Sequence, residues 1–250
     1  MNKGSAGVGK ESLSEELREF NFISKERSGG QSAEQVTLGV NNDQLLEHLC
    51  CVFGVDISQL FSVENFTCMK NANITFAVAR GYCSFGGIDT HAVQSLTNIK
   101  AGGLKADTYM FPCRGKNATS QVDDMVKQIP GNLYETIWID VETNPSPGCS
   151  WSGHDSASNC AFLMETVNAI KAKGKKVGIY ASRYMWGTIF GSYDACGQAS
   201  AGIPLWYAHY DNTPSFSDFT AFAGWKAPSI KQYLGTSSLC GASVDRNWHP

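Results

Sequence analysis

From residue 53 onward, short runs rich in β-branched and aromatic residues alternate with stretches whose apolar residues recur at helical spacing, and this rhythm constrains the fold most. Residues 53–58, 75–82, 106–111, a run ending at Asp140, and 176–182 read as strands. Between them a helix opens near Asp89, with Val93, Leu96 and Ile99 on one face and Gly102-Gly103 at its end. Residues 120–129 form a second helix with Val122, Met125, Val126 and Ile129 apolar and Pro130 just past the stop. Residues 156–173 form a third, with a stripe of Cys160, Leu163, Met164, Val167 and Ile170, lysines crowding its C-terminal end, and Gly174 where a C′ glycine belongs. Beyond residue 182 the rhythm changes: 204–210, 230–234 and Val244-Asp245 are extended, with loops rather than long helices between them. Such alternation predicts a parallel sheet covered by helices, and eight short strands would close it into a barrel. Function in such barrels gathers at the C-terminal strand ends.

One of those ends carries chemistry. The run from Thr136 to Val141 leads through Asp140 to Glu142, and Asn144-Pro145-Ser146-Pro147-Gly148 then breaks the strand. Successive side chains of a strand turn to opposite faces, so Asp140 and Glu142 point the same way, with Cα atoms about 6.6 Å apart. Like charges brought together in a buried site push their pKa values apart, which suits general acid-base chemistry on an acetal. A strand-end pair that caps a helix or meets an arginine is the structural alternative. Asp56 and Asp245 also stand at strand ends. A closed barrel makes the first and last strands neighbours, so the two should meet in space and four acids line one bowl. Tyr82, Tyr109, Tyr180, Trp206, Tyr210 and Trp225 occupy matching positions. Apolar sugar faces stack on such rings while acids take the hydroxyls, so the set predicts a carbohydrate site.

Bulk properties remove several rivals. The chain has 250 residues, 42% of them hydrophobic, enough for one large core. A net charge of −3 with no basic stripe gives no support for nucleic acid as a partner. The longest candidate membrane segment, residues 45–53, is short and carries Glu47 and His48. His48, His91, His154, His209 and His249 are dispersed and no Cys-x-x-Cys occurs, so neither a metal nor any other cofactor is expected. Nine cysteines fit disulfides in an oxidising compartment; Cys149 with Cys160, in one short loop-and-helix segment, is the expected bridge, and the odd count leaves a thiol over. Sequons at Asn65, Asn73 and Asn117 point the same way and predict a glycoprotein.

Val55-Asp56-Ile57-Ser58, Ile137 to Glu142, Gly178-Ile179-Tyr180, Leu205-Trp206-Tyr207-Ala208, Gln232-Tyr233 and Val244-Asp245-Arg246-Asn247, taken in order, resemble the signatures of glycoside hydrolase family 25, the muramidases. The resemblance covers about residues 53–250. Phe111 to Lys116 and the cysteines look like the secreted eukaryotic branch of nematodes, amoebae and slime moulds. It implies an α/β fold, an irregular TIM-like barrel of five β/α units followed by three strands, (β/α)5(β)3. It implies a lysozyme acting on bacterial peptidoglycan, with Glu142 as general acid and base, Asp140 orienting the substrate N-acetyl group, and Asp56 and Asp245 in support. Tyr82, Tyr109, Tyr180, Trp206 and Tyr210 become substrate-binding candidates. Two carboxyls this close on one strand make direct attack by Asp140 awkward and favour participation of the acetamide. A monomer, secreted or lysosomal/phagosomal, is expected.

Two other readings use the same residues. A chitinase-type barrel also ends a strand in Asp-x-Glu, but with a further Asp where this chain has Trp138. A catalytically silent peptidoglycan- or chitin-binding protein on the same fold keeps the acids without turnover. Residues 1–50 form an appendage to the catalytic barrel of residues 51–250: Ser12-Leu13-Ser14-Glu15 reads as a capping box opening a short helix. Gly4 to Lys10 imitates a phosphate-binding loop without the preceding strand or the following hydroxyl, so no nucleotide site is expected. No secretory leader is legible at Met1, although residues 45–53 resemble the remnant of one.

Overall fold

The computed structural model describes residues 51–250; the helix read after Ser12, the Gly4 to Lys10 stretch and the Leu45-Leu46 segment lie outside the described residues. Nine strands are present among them: β1 (Val52–Ile57), β2 (Ile74–Cys83), β3 (Gly87–Ile88), β4 (Lys105–Met110), β5 (Thr136–Asp140), β6 (Lys176–Ala181), β7 (Leu205–Ala208), β8 (Ile230–Leu239) and β9 (Ala242–His249). The helices are α1 (Val63–Asn71), α2 (Ala92–Ala101), α3 (Ala118–Gln128), α4 (Ser156–Ala172), α5 (Arg183–Phe190) and α6 (Gly197–Ser200). The strands hydrogen-bond in the order β1-β9-β8-β7-β6-β5-β4-β2-β3, and β1 also pairs with β2, which closes the sheet. Every barrel pairing is parallel except the two made by β9. Five β/α units are thus followed by β7, β8 and β9, the expected irregular barrel, with β3 a short flap on β2.

The period of two explains what the barrel holds. Val55, Ile57, Ala77, Ala79, Ile137, Ile139, Ile179 and Leu205 face the helices and join one large buried cluster. The alternate positions turn inward, where Phe76, Val78, Trp138, Tyr180, Trp206 and Ile230 form a second cluster. Two glycines make room for the largest of them. A Cβ on Gly54 would stand 2.2 Å from the Phe76 ring and one on Gly178 2.2 Å from the Trp138 ring. With the lower interior filled by rings, the inward residues at the C-terminal strand ends are left to line an open basin.

The helices follow local rules, with instructive departures. α4 starts at Asp155, whose carboxylate accepts from Ser158 N at 2.7 Å, and buries Phe162, Leu163, Val167 and Ile170, about 1.5–3 kcal/mol for each large side chain. Met164, expected on that stripe, is exposed. Val93 is exposed too, because α2 presents Ala92, Ser95, Leu96 and Ile99 to the core. The small residues Ala92 and Ser95 mark the face that comes closest to the sheet. α1 and α5 arise where no helix was read. Ser62 and Asn65 form a reciprocal capping box at α1 with Asn at the position usually held by Glu or Gln, and Ser182 caps α5. β8 and β9 are a hairpin longer than the patterning indicated, turning through Cys240 and Gly241 at φ of 53° and 76°. A two-residue turn with both φ positive matches the twist of the hairpin. Cys240 tolerates that conformation while tied to Cys68 and while its carbonyl accepts from Asn65 Nδ2 at 2.9 Å.

The disulfides correct the expected bridge. Cys149 pairs with Cys113 and Cys160 with Cys196, while Cys68 pairs with Cys240. Cys149 ends the connection after β5, which lies against the connection after β4 that carries Cys113; Cys160, inside α4, meets the segment between α5 and α6. Among the described residues Cys51 and Cys83 are free thiols.

Candidate active site

Asp56, Tyr109, Asp140, Glu142, Tyr180, Trp206, Tyr210, Gln232 and Asp245 line one cavity of about 120 Å³ at the C-terminal strand ends. All four sequence-predicted acids and four of the predicted aromatics therefore converge. Asp56 and Asp245 are direct partners across the antiparallel β1–β9 ladder, as closure of the barrel requires. Trp206, almost fully buried, forms the floor, with the Tyr180 ring edge-on at 4.8 Å and the Tyr109 ring at 6.4 Å. Trp138 lies deeper, its indole N–H donating to Asp107 Oδ2 at 2.9 Å.

Tyr82 and Trp225 do not join. Sheet alternation alone would send Tyr82 inward with Val78 and Arg80. The β2–β4 register slips between Arg80 and Tyr82, however, and that extra residue turns Tyr82 outward into the core, buried near Asp124 of α3. Trp225 packs against Trp186 and Phe222 and donates to Ile203 O at 2.7 Å.

Two amides that sequence reasoning gave no role organise the basin. Gln232 Nε2 donates to Asp56 Oδ2 at 2.8 Å and to Asp245 Oδ2 at 3.2 Å. Gln232 Oε1 accepts from the hydroxyls of Tyr180 at 2.6 Å and Tyr210 at 2.8 Å. Asn247 Nδ2 donates to Asp56 Oδ2 at 2.7 Å while Asn247 Oδ1 accepts from Trp206 Nε1 at 2.7 Å. Asp245 also accepts from Thr236 N at 2.6 Å. The signal for Asn247 was present: it stands two residues after Asp245, on the same face of the strand. Gln232 stood out only in the Gln232-Tyr233 signature, which gave it no role.

The electrostatics divide these acids. Burial, then Asp245, raise Asp56 from 3.8 to about 7 despite the two amide donors. Burial raises Asp140 well above the ordinary carboxylate value, with Glu142 and Asp56 adding to it, and Asp140 Oδ1 has no hydrogen-bond partner. Burial also raises Glu142; Asp140 works against that rise and Asp245 adds to it. The Asp140–Glu142 pair therefore retains a proton at pH values where a free carboxyl has lost it. Burial likewise holds Tyr109 and Tyr180 far above the usual phenol range, so both remain donors. Among the described residues no Lys or Arg lines the basin.

His209, Asp211 and Asp218, outside the barrel, bring ligand-type atoms within 4.8 Å of one another. Lys231 Nζ already sits between those acids, 2.8 Å from Asp211 Oδ2 and 2.6 Å from Asp218 Oδ1. The cluster thus carries its own cation.

A buried, proton-holding carboxyl pair above an aromatic floor, at the C-terminal mouth of a (β/α)5(β)3 barrel, has the chemistry that acid–base cleavage of a glycosidic bond uses. The comparisons agree. A family model described as lysozyme-like protein 1 matches residues 48–233. Probable GH family 25 lysozyme 2 of Dictyostelium discoideum is 40% identical over 210 residues, covering 82% of this chain and 94% of the relative. Lysozyme-like protein 5 of Caenorhabditis elegans is 39% identical over 205 residues, covering 79% and 91%. The fold matches a family GH25 lysozyme from Aspergillus fumigatus with a TM-score of 0.67 at 22% identity, over 80% of this chain and 94% of that one. The chain belongs to the glycoside hydrolase family 25 lysozymes and is a glycoside hydrolase.

Proposed function

We propose that this protein hydrolyses the β-1,4 bond between N-acetylmuramic acid and N-acetylglucosamine in bacterial peptidoglycan, with Glu142 as general acid and base. The convergence of Asp140 and Glu142, two residues apart at one strand end, with Asp56 and Asp245 in a single basin carries this reading. Carboxyls that attack a sugar directly stand about 5–5.5 Å apart across the scissile bond, and those that leave room for water about 6.5–9.5 Å. Two acids that issue from one strand end stand on the same side of a sugar, which favours the substrate's own acetamide as nucleophile. Protonated Glu142 donates to the glycosidic oxygen as the C1–O bond breaks. The acetamide oxygen bonds to C1 while its N–H donates to the carboxylate of Asp140, which lines the basin. Water then attacks C1, gives its proton to Glu142, and restores the acetamide. Asp56 and Asp245 support the positive charge that develops at the ring, and Tyr109, Tyr180, Trp206 and Tyr210 hold the sugar.

Release of reducing ends from purified peptidoglycan tests the proposal. Glu142→Gln should lower it by at least about 10²–10⁴-fold, the usual worth of a positioned acid, with the melting temperature preserved. Binding without cleavage by the parent protein would overturn the enzymatic reading in favour of a peptidoglycan- or chitin-binding role. Residues 51–250 form the catalytic barrel in this reading, and residues 1–50 an appendage. Three disulfides suit a monomer working in a secreted or lysosomal/phagosomal setting. No helix among the described residues is long and apolar enough to cross a membrane.

A further inference from the structure

Glu142 lies beyond the end of its strand, and something other than the sheet must fix it. Val141 N still donates to Tyr180 O at 2.9 Å, but β5 has ended at Asp140. Thr143 is exposed, and Pro145 and Pro147 lack the N–H groups that would let the segment bond to itself. The next fixed point is Asn144, 7% exposed, two residues past Glu142. Both donors and the acceptor of its amide are spent. Nδ2 donates to Ser84 O at 2.8 Å and Pro112 O at 3.0 Å, and Oδ1 accepts from Ser146 N at 2.8 Å. Ser84 belongs to the connection after β2 and Pro112 to the connection after β4, so one side chain joins three strand ends around Glu142.

The surroundings make that joint narrow. Ser84 Oγ and Ser146 Oγ are 2.9 Å apart, and the Cys113–Cys149 disulfide ties the far end. A Cβ on Gly115 would stand 2.0 Å from Gly148 O, so the connections after β4 and β5 are in backbone contact. Asparagine alone fits the joint: aspartate lacks the two donors, and glutamine is a methylene too long for carbonyls already at 2.8 and 3.0 Å.

We propose that Asn144 is the positioning residue for Glu142, setting its height and direction over the basin by pinning the connection after β5 to those after β2 and β4. This rests on Glu142 being the proton donor. Asn144→Ser loses both amide donors and leaves one shorter hydroxyl that cannot reach both carbonyls at once. In the full chain, kcat on purified peptidoglycan should fall by up to about 10²-fold with KM little changed, the cost of displacing a reacting group by an ångström. The alkaline limb of the kcat profile should move toward lower pH as Glu142 shifts into solvent. Carboxyl NMR of the free protein should show the Glu142 midpoint moving the same way.

Ser200→Ala separates positioning from mere destabilisation. Buried Ser200 of α6 donates its hydroxyl to Ala223 O at 2.5 Å and does not line the basin. That variant should lower the melting temperature while leaving the kcat profile and the Glu142 midpoint in place. An Asn144→Ser protein that melts earlier with kcat per folded molecule and the Glu142 midpoint unchanged overturns the proposal. Should Asn144→Ser fail to fold, Asn144→Gln keeps both donors on an arm one methylene longer and should shift the midpoint less but in the same direction; an unmoved midpoint there overturns it too. A parent protein that does not cleave peptidoglycan defeats the lysozyme reading, and the NMR midpoint still decides the role of Asn144.

Discussion

Lys231 and Gln232 are adjacent on β8, yet they organise acids in opposite ways. Outside the barrel, fully buried Lys231 reaches Asp211, Asp218 and the carbonyl of Ser215, and Asp218 Oδ2 also accepts from Tyr207 Oη at 3.0 Å. Burial pushes Asp211 and Asp218 up, but hydrogen bonds outweigh it and hold both below the ordinary value, that of Lys231 first, with Thr213 N–H helping at Asp211 and His209 and Tyr207 at Asp218. Inside, Gln232 offers two amide hydrogens to Asp56 and Asp245, and no ammonium or guanidinium lines the basin. Asp56, Asp140 and Glu142 are all raised. A carboxylate buried beside a cation is fixed in one state and serves structure. One buried beside amides and other carboxyls keeps a proton within reach and serves chemistry.

Removing Lys231 is the strongest way to break this contrast. Lys231→Met removes the cation from two partly exposed acids and with it two charge-assisted hydrogen bonds, which should cost about 3–5 kcal/mol in urea unfolding at pH 7. Acids held low contribute stability that is present above their unfolded pKa of 3.8 and lost as pH falls through the folded value. The cost should therefore shrink as the buffer is taken below pH 4. A cost that stays constant with pH would mean that Lys231 acts by packing alone. Asp56→Asn tests the inner region with the opposite sign. Asp56 is raised from 3.8 to about 7, so its contribution is full below pH 3.8 and lost as pH rises to 7. Both amides that donate to Asp56 Oδ2 can donate to an asparagine oxygen instead. The variant should gain on the parent by on the order of 4 kcal/mol between pH 4 and pH 8. A difference independent of pH would show that Asp56 is ionised throughout.

The same contrast explains what the sequence made legible. Strands with β-branched runs and the pair Asp140 and Glu142 follow from a period of two, and the meeting of Asp56 with Asp245 follows from closure of the barrel. Those features depend on local pattern or on one topological step. Tyr82 was misplaced by a single bulge residue, which no period reveals. Gln232 was not legible because an amide announces no charge, and its role exists only where four strands bring Asp56, Asp245, Tyr180 and Tyr210 around it. Lys231 was hidden for the converse reason: a lysine in a strand reads as surface until the connection carrying Asp211 and Asp218 is seen to fold over it. Disulfide partners depend on which connections touch, and Cys149 meets Cys113 only through the packing of two strand-end loops.

Tyr210 joins the two regions and allows the finest test. Its connection begins at His209, whose Nδ1 is 2.6 Å from Asp218 Oδ2 in the Lys231 cluster, while its own hydroxyl reaches inward to Gln232 Oε1 at 2.8 Å. Tyr210→Phe removes only that hydroxyl, and Gln232 Oε1 keeps the bond from Tyr180 at 2.6 Å. The loss in stability should stay within about 1 kcal/mol. In kcat/KM the expected loss is roughly two- to fivefold, because Gln232 remains oriented and the exposed ring remains as a wall of the cleft. The informative quantity is the coupling. If the outer cluster influences the basin through this tyrosine, Lys231→Met should lower kcat/KM less in the Tyr210→Phe background than in the parent, by a coupling energy of about 0.5–1 kcal/mol. Strict additivity would leave the two faces of β8 energetically separate, with Lys231 confined to stability and Gln232 alone answerable for the acids that face the substrate.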